Sequence, residues 1–350
     1  MQAFYKKYIL DFKRPSGTSR GILNQKETWF IILKDENKQG IGECGILRGL
    51  SIDDIPNYEE KLKWTCENIH LGKDLLCSAL KAYPSIQFGV EQAFLSLKAE
   101  NPYILFPSNF TTDKKPIVIN GLIWMGDESF MLEQIQQKLE EGFSCIKMKI
   151  GAINFETEIK LLASIRKKYT KNQIELRVDA NGAFPINEAL DKLQILSEYN
   201  LHSIEQPIKQ GNAIEMERLC EKTPLPIALD EELIGVFGVT KKQELLQTIQ
   251  PQYIILKPSL VGGFKGSEEW ISIANSMNIK WWITSALESN VGLNAIAQWT
   301  YTLNSKLPQG LGTGSLYTNN FESPLTVSNG KLLYDNAKDW ENNLIKDLCI

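Results

Sequence analysis

Histidine is scarce in this sequence: His70 and His202 are the only two among 350 residues. Neither stands near a cysteine pair, so an imidazole-based zinc site is not expected, and acid–base chemistry must rest on other side chains. The six cysteines, Cys44, Cys66, Cys77, Cys145, Cys220 and Cys349, form no CxxC pair. With no secretory signal in view, they read as reduced, mostly buried thiols of a cytoplasmic protein. The stretch from Met1 to Phe12 lacks the charged start, apolar run and small-residue cleavage site of a signal peptide. No run of about 18 apolar residues occurs, so no membrane span is expected; the cluster Trp281-Trp282-Ile283 is far too short. The net charge is −4, and without an arginine stripe or a lysine block nothing argues for a nucleic-acid partner. A homo-oligomer is left open.

What is present suits a large buried core: 43% of residues are hydrophobic and 23% charged, an ordinary globular balance. The pattern changes near residue 115. Before it, strand-like runs at Phe4–Phe12 and Trp29–Leu33 surround a polar loop, Arg14 to Gly21, and helical segments follow at Tyr58–Asn68 and Ser85–Glu100. This is an α+β order. After it, short apolar runs alternate with amphipathic helices such as Phe155–Tyr169, Ile186–Tyr199 and Ser267–Met277. The expected strands are Ile117–Ile119, Cys145–Ile150, Glu175–Asp179, Ser203–Glu205, Pro226–Asp230, Tyr253–Leu256 and Trp281–Thr284, with a weaker one near Gly310–Gly314. Such alternation predicts parallel strands with right-handed crossovers, and seven or eight units over about 200 residues predict a closed (β/α) barrel. The expected division is an α+β unit over 1–114, a barrel over 115–323, and a tail over 324–350 returning to the first unit, with a strand at Lys331–Tyr334 behind an Asn329-Gly330 turn.

Ionisable residues end successive strands of the expected barrel. From Lys149 to Asp179 is 30 residues, then 26 to Glu205, 25 to Asp230, 27 to Lys257 and 28 to Ser285. One β/α unit takes about 25–30 residues, so all should converge on the C-terminal mouth, where barrel enzymes keep their active sites. Three carboxylates side by side repel unless a cation holds them. An oxygen-only set suits a hard ion, Mg²⁺, with Mn²⁺ as a substitute. Lys149 and Lys257 flank the triplet in strand order and should face each other across it. A lysine near a cation and partly out of water loses basicity, toward a pKa of about 7–8, and becomes a usable base. The chemistry this suits is removal of a proton next to a carboxylate, with the metal stabilising the enediolate.

The series Lys147-x-Lys149, Asp179-x-Asn181, Glu205-Gln206-Pro207, Asp230-Glu231 and Lys257-Pro258 resembles the enolase superfamily, in its muconate-lactonizing-enzyme subgroup, over nearly the whole chain. The resemblance implies a modified TIM-type barrel with an α+β capping domain built from the N-terminus and the C-terminal tail. Gly40-Ile41-Gly42-Glu43-Cys44, Leu260-Val261-Gly262-Gly263, Ser285-Ala286-Leu287-Glu288-Ser289 and Gly310-Leu311-Gly312-Thr313-Gly314 are similar to the o-succinylbenzoate synthase family, whose members dehydrate the cyclohexadiene carboxylate SHCHC in menaquinone biosynthesis. That likeness implies a carbon–oxygen lyase in which Lys149 is base and then acid, and Lys257 stabilises the enolate. It implies Asp179, Glu205 and Asp230 as Mg²⁺ ligands and Lys147, Asn181 and Ser285 as substrate-placing residues, with Arg177, Glu231 and Glu288 in support.

The dipeptide epimerases of the subgroup commonly carry Asp-x-Asp near the barrel's end. Here Gly312-Thr313-Gly314-Ser315-Leu316 has no acid, which argues for an anionic substrate without an ammonium group. One departure from the family is Gly45-Ile46-Leu47-Arg48-Gly49-Leu50, where a proline-rich turn is common.

Plainer readings remain for single residues. Asp179 before Ala-Asn-Gly also fits a turn, Glu205-Gln206-Pro207 a strand stopped by proline, and Asp230-Glu231 a helix cap. Arg177 either buttresses a ligand or pairs on the surface. His202 reads as packed or capping, and Cys145 lacks a histidine partner for thiol chemistry. Gly262-Gly263 lacks the spacing of a nucleotide loop. The alternatives at the level of function are an N-acylamino-acid racemase, dipeptide epimerase or cycloisomerase with the same lysine pair, and a non-catalytic metal-binding barrel.

Overall fold

Side chains alternate across a β-strand, so a strand apolar on both faces must be covered twice. In the computed structural model, which describes residues 1–18 and 21–348, such a strand organises the first unit. Strands β1 (Gln2–Thr18), β2 (Gly21–Asp35) and β3 (Lys38–Gly45) form an antiparallel sheet with β2 in the middle. Trp29, Ile31 and Leu33 of β2 pack with Leu62, Leu76, Val90 and Ala93 of the helices on one side. Phe30 and Ile32 pack on the other with Ile41, Val291 and the C-terminal Leu344, Ile345 and Leu348. The helices Tyr58–Glu67 and Pro84–Lys98 lie where their apolar spacing puts them.

One expectation changes here. The polar stretch from Arg14 is largely strand, because β1 and β2 continue pairing to Thr18 and Gly21 beyond a register shift between Asp11 and Ser16; Ser19 and Arg20 lie outside the described residues. Gly40-Ile41-Gly42-Glu43 is the body of β3. A Cβ on Gly42 would run into the Gly89 carbonyl, so its glycine permits the helix Pro84–Lys98 to lie directly on the strand.

The second sheet is parallel. Its strands are β5 (Gly121–Ile123), β6 (Cys145–Lys149), β7 (Glu175–Asp179), β8 (Ser203–Glu205), β9 (Ile227–Leu229), β10 (Tyr253–Leu256) and β11 (Lys280–Ile283), in sequential order. Helices such as Phe155–Lys168, Ile186–Ser197 and Gly263–Ser276 join them. The two edges of the sheet meet through Gln309 and Gly310: Ile119 bridges Gln309 and Thr284 bridges Gly310, both parallel. The weak eighth strand expected at 310–314 is therefore reduced to this pair of bridges.

Ile117–Ile119 is a correction. Ile117–Val118 (β4) does not enter the barrel wall; it pairs antiparallel with β13 (Lys331–Tyr334), which pairs with β12 (Leu325–Ser328). The left-handed Asn329 and Gly330, with φ of 50° and 65°, make the tight turn between β12 and β13 that the sequence indicated.

Among the described residues no helix is long and apolar enough to cross a membrane. The five described cysteines are free, and all but Cys66 are buried; Cys349 lies outside the described residues.

Candidate active site

The period of two sorts each barrel strand. On β6, Ile146 and Met148 join the main core with Leu176 and Val178 of β7, Ile204 of β8, Leu229 of β9 and Leu256 of β10. The alternate positions, Lys147 and Lys149, Arg177 and Asp179, and Glu205, therefore face the barrel interior. Parallel pairing aligns Lys149 with Asp179, and Asp179 with Glu205. Glu205 is level with Ala228, two residues before Asp230, and Lys257 directly follows β10.

The charges interlock. Lys147 Nζ donates to Asp179 Oδ2 at 2.9 Å and Glu205 Oε2 at 2.7 Å. Lys149 Nζ donates to Asp179 Oδ2 at 3.0 Å and Asn181 Oδ1 at 2.6 Å. Lys257 Nζ pairs with Asp230 Oδ2. Asn181 also donates its side-chain amide to Glu231 Oε1 at 2.9 Å.

Burial disfavours charge on all of these groups, and neighbours decide the outcome. Burial raises the Glu205 carboxyl, and Asp179 beside it raises it further, to well above the usual range. Asp179 goes the other way: burial is outweighed by the ammonium groups of Lys147 and Lys149, which hold it below the carboxylate range. Lys257 corrects an expectation. Burial pulls it down, as expected, but Asp230 and Glu205 face it and hold it above its ordinary value. A divalent ion among those carboxylates would reverse that balance by cancelling their charge.

Among the described residues no three His, Cys, Asp or Glu side chains are grouped tightly enough to chelate an ion as placed; lysine ammonium groups bond the same acids. The donor set nevertheless fits a hard cation. Asp179, Glu205 and Asp230 are nearly fully buried and come from neighbouring strands, all their donors are oxygen, and Glu205 Oε1 is buried without a hydrogen-bond partner.

A cavity of about 460 Å³ opens over this cluster, lined by Lys147, Lys149, Asp179, Asn181, Lys257 and Ser285. Leu47, Arg48 and Leu50 from the first unit also line it; Arg48 is paired with Glu27 and Asp54. Ser285 shares a 2.6 Å hydrogen bond with Thr313. The supporting residues divide. Glu231 reaches the site through Asn181. Glu288 is wholly buried and accepts from Ser259 Oγ at 2.6 Å and Ala286 N at 2.7 Å. Arg177 is buried too, so it does not pair on the surface, but it bonds Glu175 and the Pro308 carbonyl over the Trp282 ring, away from the carboxylates. Cys145 sits beside Glu175 at 3.4 Å, and burial raises its thiol far above the usual range.

Sequence reasoning quoted two other residues without giving them a role. Gln206 Oε1 accepts from the backbone of Asp230 and Glu232, each at 3.2 Å, and so orients the turn carrying Asp230. Asn181 and Gln206 both have positive φ, 45° and 38°, a strain that commonly marks functional turns. Glu43 accepts from Ser289 N, Ser289 Oγ and Gly292 N at 2.9, 2.5 and 2.9 Å, fastening the first sheet to the barrel helix Asn290–Thr302. The acid in Gly-x-Gly-Glu was the available signal; its distant partner was not.

The family model described as enolase C-terminal domain-like matches residues 131–337. The o-succinylbenzoate synthase of Desulfotalea psychrophila is 44% identical over 95% of this chain and 98% of its own length. The crystal structure of MenC from Desulfotalea psychrophila superposes with a TM-score of 0.85 at 41% identity, covering 95% of this chain and 99% of that one. The muconate lactonizing enzyme from Pseudomonas fluorescens, solved with muconolactone, has a TM-score of 0.84 at 19% identity over 99% and 98% of the two chains, a likeness of fold.

Proposed function

The chain belongs to the family described as enolase C-terminal domain-like, and from that premise we propose that it is an o-succinylbenzoate synthase, a lyase that dehydrates SHCHC on the route to menaquinone. One observation carries the reading: Lys149, Asp179, Glu205, Asp230 and Lys257 stand at five consecutive strand ends, and Lys149, Asp179 and Lys257 among them line one cavity. The extended match to an o-succinylbenzoate synthase supports the choice of substrate.

Asp179, Glu205 and Asp230 would hold Mg²⁺, with Mn²⁺ as a substitute. When bound there, the ion supplies positive charge to the substrate carboxylate. Lys149 Nζ takes the proton from the carbon next to that carboxylate, then delivers it to the hydroxyl as the carbon–oxygen bond breaks. Water leaves from the face on which the proton was removed, and the ring becomes aromatic. Lys257 keeps its proton and opposes, from the other flank, the negative charge that spreads into the substrate. Lys147, Asn181 and Ser285 place the substrate, while Glu231 acts in support through Asn181 and Glu288 through Ala286 and Ser259. Residues 1–114 form the cap together with Leu344, Ile345 and Leu348 of the tail, and 115–323 the barrel, to which the β12–β13 hairpin of the tail is joined through β4. Buried free thiols support a cytoplasmic location.

Purified protein with Mg²⁺ is expected to consume SHCHC, read as loss of the diene's ultraviolet absorbance. Lys149→Ala should lower kcat by about a hundredfold or more. No turnover, together with α-proton exchange into N-acyl amino acids or dipeptides, would replace this reading with a racemase or epimerase. Neither activity, with no measurable effect of Lys149→Ala, would leave a non-catalytic metal-binding barrel.

A further inference from the structure

A buried charge cluster between the first sheet and the barrel contains a lysine to which the reaction above gives no role. Lys26 on β2 is buried, and among the described residues its ammonium has no hydrogen-bond partner. That ammonium lies over Gly45, 2.6 Å from where a Cβ would stand. An unpaired buried cation is strongly unfavourable, so its neighbours must supply the missing charge. Thr28 Oγ1, 3.2 Å from that same Cβ position, donates to Glu43 Oε1 at 2.8 Å, and Glu43 and Glu288, both wholly buried, meet over Gly292, so these two carboxylates stand next in line behind the ammonium. Burial raises the Glu288 carboxyl, Lys26 pulls it back down, and Glu43 pushes it up.

The position of Glu288 makes this cluster consequential. One of its oxygens accepts from Ser259, two residues beyond Lys257; the other accepts from Ala286 N. Ala286 belongs to the cavity wall Ser285–Leu287. Leu287 there has a φ of 61°, a conformation costly for a side chain of its size, and its carbonyl is held by Tyr317 Oη at 2.6 Å. Glu43 anchors the far side of the same loop at Ser289.

We propose that Lys26, which does not line the cavity, is a positioning residue: as the counter-charge shared by Glu43 and Glu288, it keeps Glu288 on Ala286 N–H and Ser259 Oγ, and so fixes the Ser285–Leu287 wall and the backbone behind Lys257. The effect on turnover rests on the reaction proposed above; the effect on the loop does not.

The test compares wild type, Lys26→Met, Glu288→Gln and the double variant. Lys26→Met should lower kcat with SHCHC between about tenfold and a hundredfold, as expected for displaced catalytic geometry, with KM nearly unchanged. The double variant, which removes one charge of each sign, should lose less than Lys26→Met alone. Hydrogen–deuterium exchange should speed up over residues 285–289 in Lys26→Met and slow again in the double variant. An unchanged kcat, single effects that simply multiply, or unchanged exchange would overturn the proposal. If wild type leaves SHCHC untouched, the assigned reaction fails, and the exchange comparison still decides the role of Lys26. If Lys26→Met does not fold, recovery of folding in the double variant supports the shared counter-charge, and failure of both overturns it.

Discussion

His202 lies at the start of β8, at the end of the barrel opposite the carboxylates. Its Nδ1 is 2.9 Å from Ser203 Oγ, and its ring packs on Tyr253. Burial is the main cause that brings its pKa down to about 4. The sign of the consequence follows from proton counting. An unfolded chain takes up a proton at this histidine near pH 6.5, whereas the folded chain takes it up only near pH 4. Through that window the unfolded state binds more protons, so stability is lost as the pH falls. The loss from this group is at most about 3 kcal/mol. Glu91 and Glu158, which burial raises to about 7, act in the opposite sense, because their folded forms bind protons first. The comparison must therefore be made against a variant. On going from pH 7 to pH 4.5 the urea midpoint of wild type should move downward relative to that of His202→Gln; parallel behaviour would show that this histidine does not titrate with unfolding.

The join between cap and barrel is made at helix ends. Glu91, in the helix Pro84–Lys98, accepts from Phe264 N at 2.5 Å and Lys265 N at 3.2 Å, and so caps the barrel helix Gly263–Ser276. Gln87, one turn earlier, donates to the Gly262 carbonyl at 2.8 Å. A Cβ on Gly263 would run into the Glu91 carboxylate. This explains Leu260-Val261-Gly262-Gly263 as a docking surface and leaves its helix end filled by an acid. Glu91→Ala strips the buried Phe264 amide and the half-buried Lys265 amide of their acceptor and should destabilise by about 1–3 kcal/mol, read as a lower urea midpoint, whereas Glu91→Gln keeps an acceptor and should lie nearer wild type. Equal midpoints for all three would remove Glu91 from the join. Such contacts mark the limit of what the sequence shows. The strand ends from Lys149 to Lys257 were legible because each β/α unit repeats the same length and each strand alternates at period two. Glu91 to Phe264 spans 173 residues and Glu43 to Ser289 spans 246, and no local pattern reports a cap supplied from so far away. β5 was missed because three residues, one of them glycine, carry too little alternation, and β4 was misplaced because an apolar pair does not reveal which sheet it joins.

For the molecule as a whole, the site joins both units: strand ends supply the acids and lysines, and the first unit supplies Leu47 and Arg48 to the cavity wall. Three buried carboxylates facing Lys147, Lys149 and Lys257 balance in charge, but at the expense of Glu205, whose carboxyl is pushed up by burial and by Asp179. A cation that engages all three acids exists as a bound species only when the barrel is folded, since the acids lie far apart in sequence. Binding must therefore stabilise the fold, by about 2.7 kcal/mol when free Mg²⁺ is a hundred times its Kd. Added Mg²⁺ should raise Tm by a few degrees, and a chelator should reverse the rise and abolish SHCHC turnover together. Asp230→Asn weakens the donor set without emptying volume, so it should shrink both responses. A Tm that rises equally in wild type and in Asp230→Asn would mean that magnesium binds elsewhere, and the three strand-end acids would then have to be explained by their pairing with lysines alone.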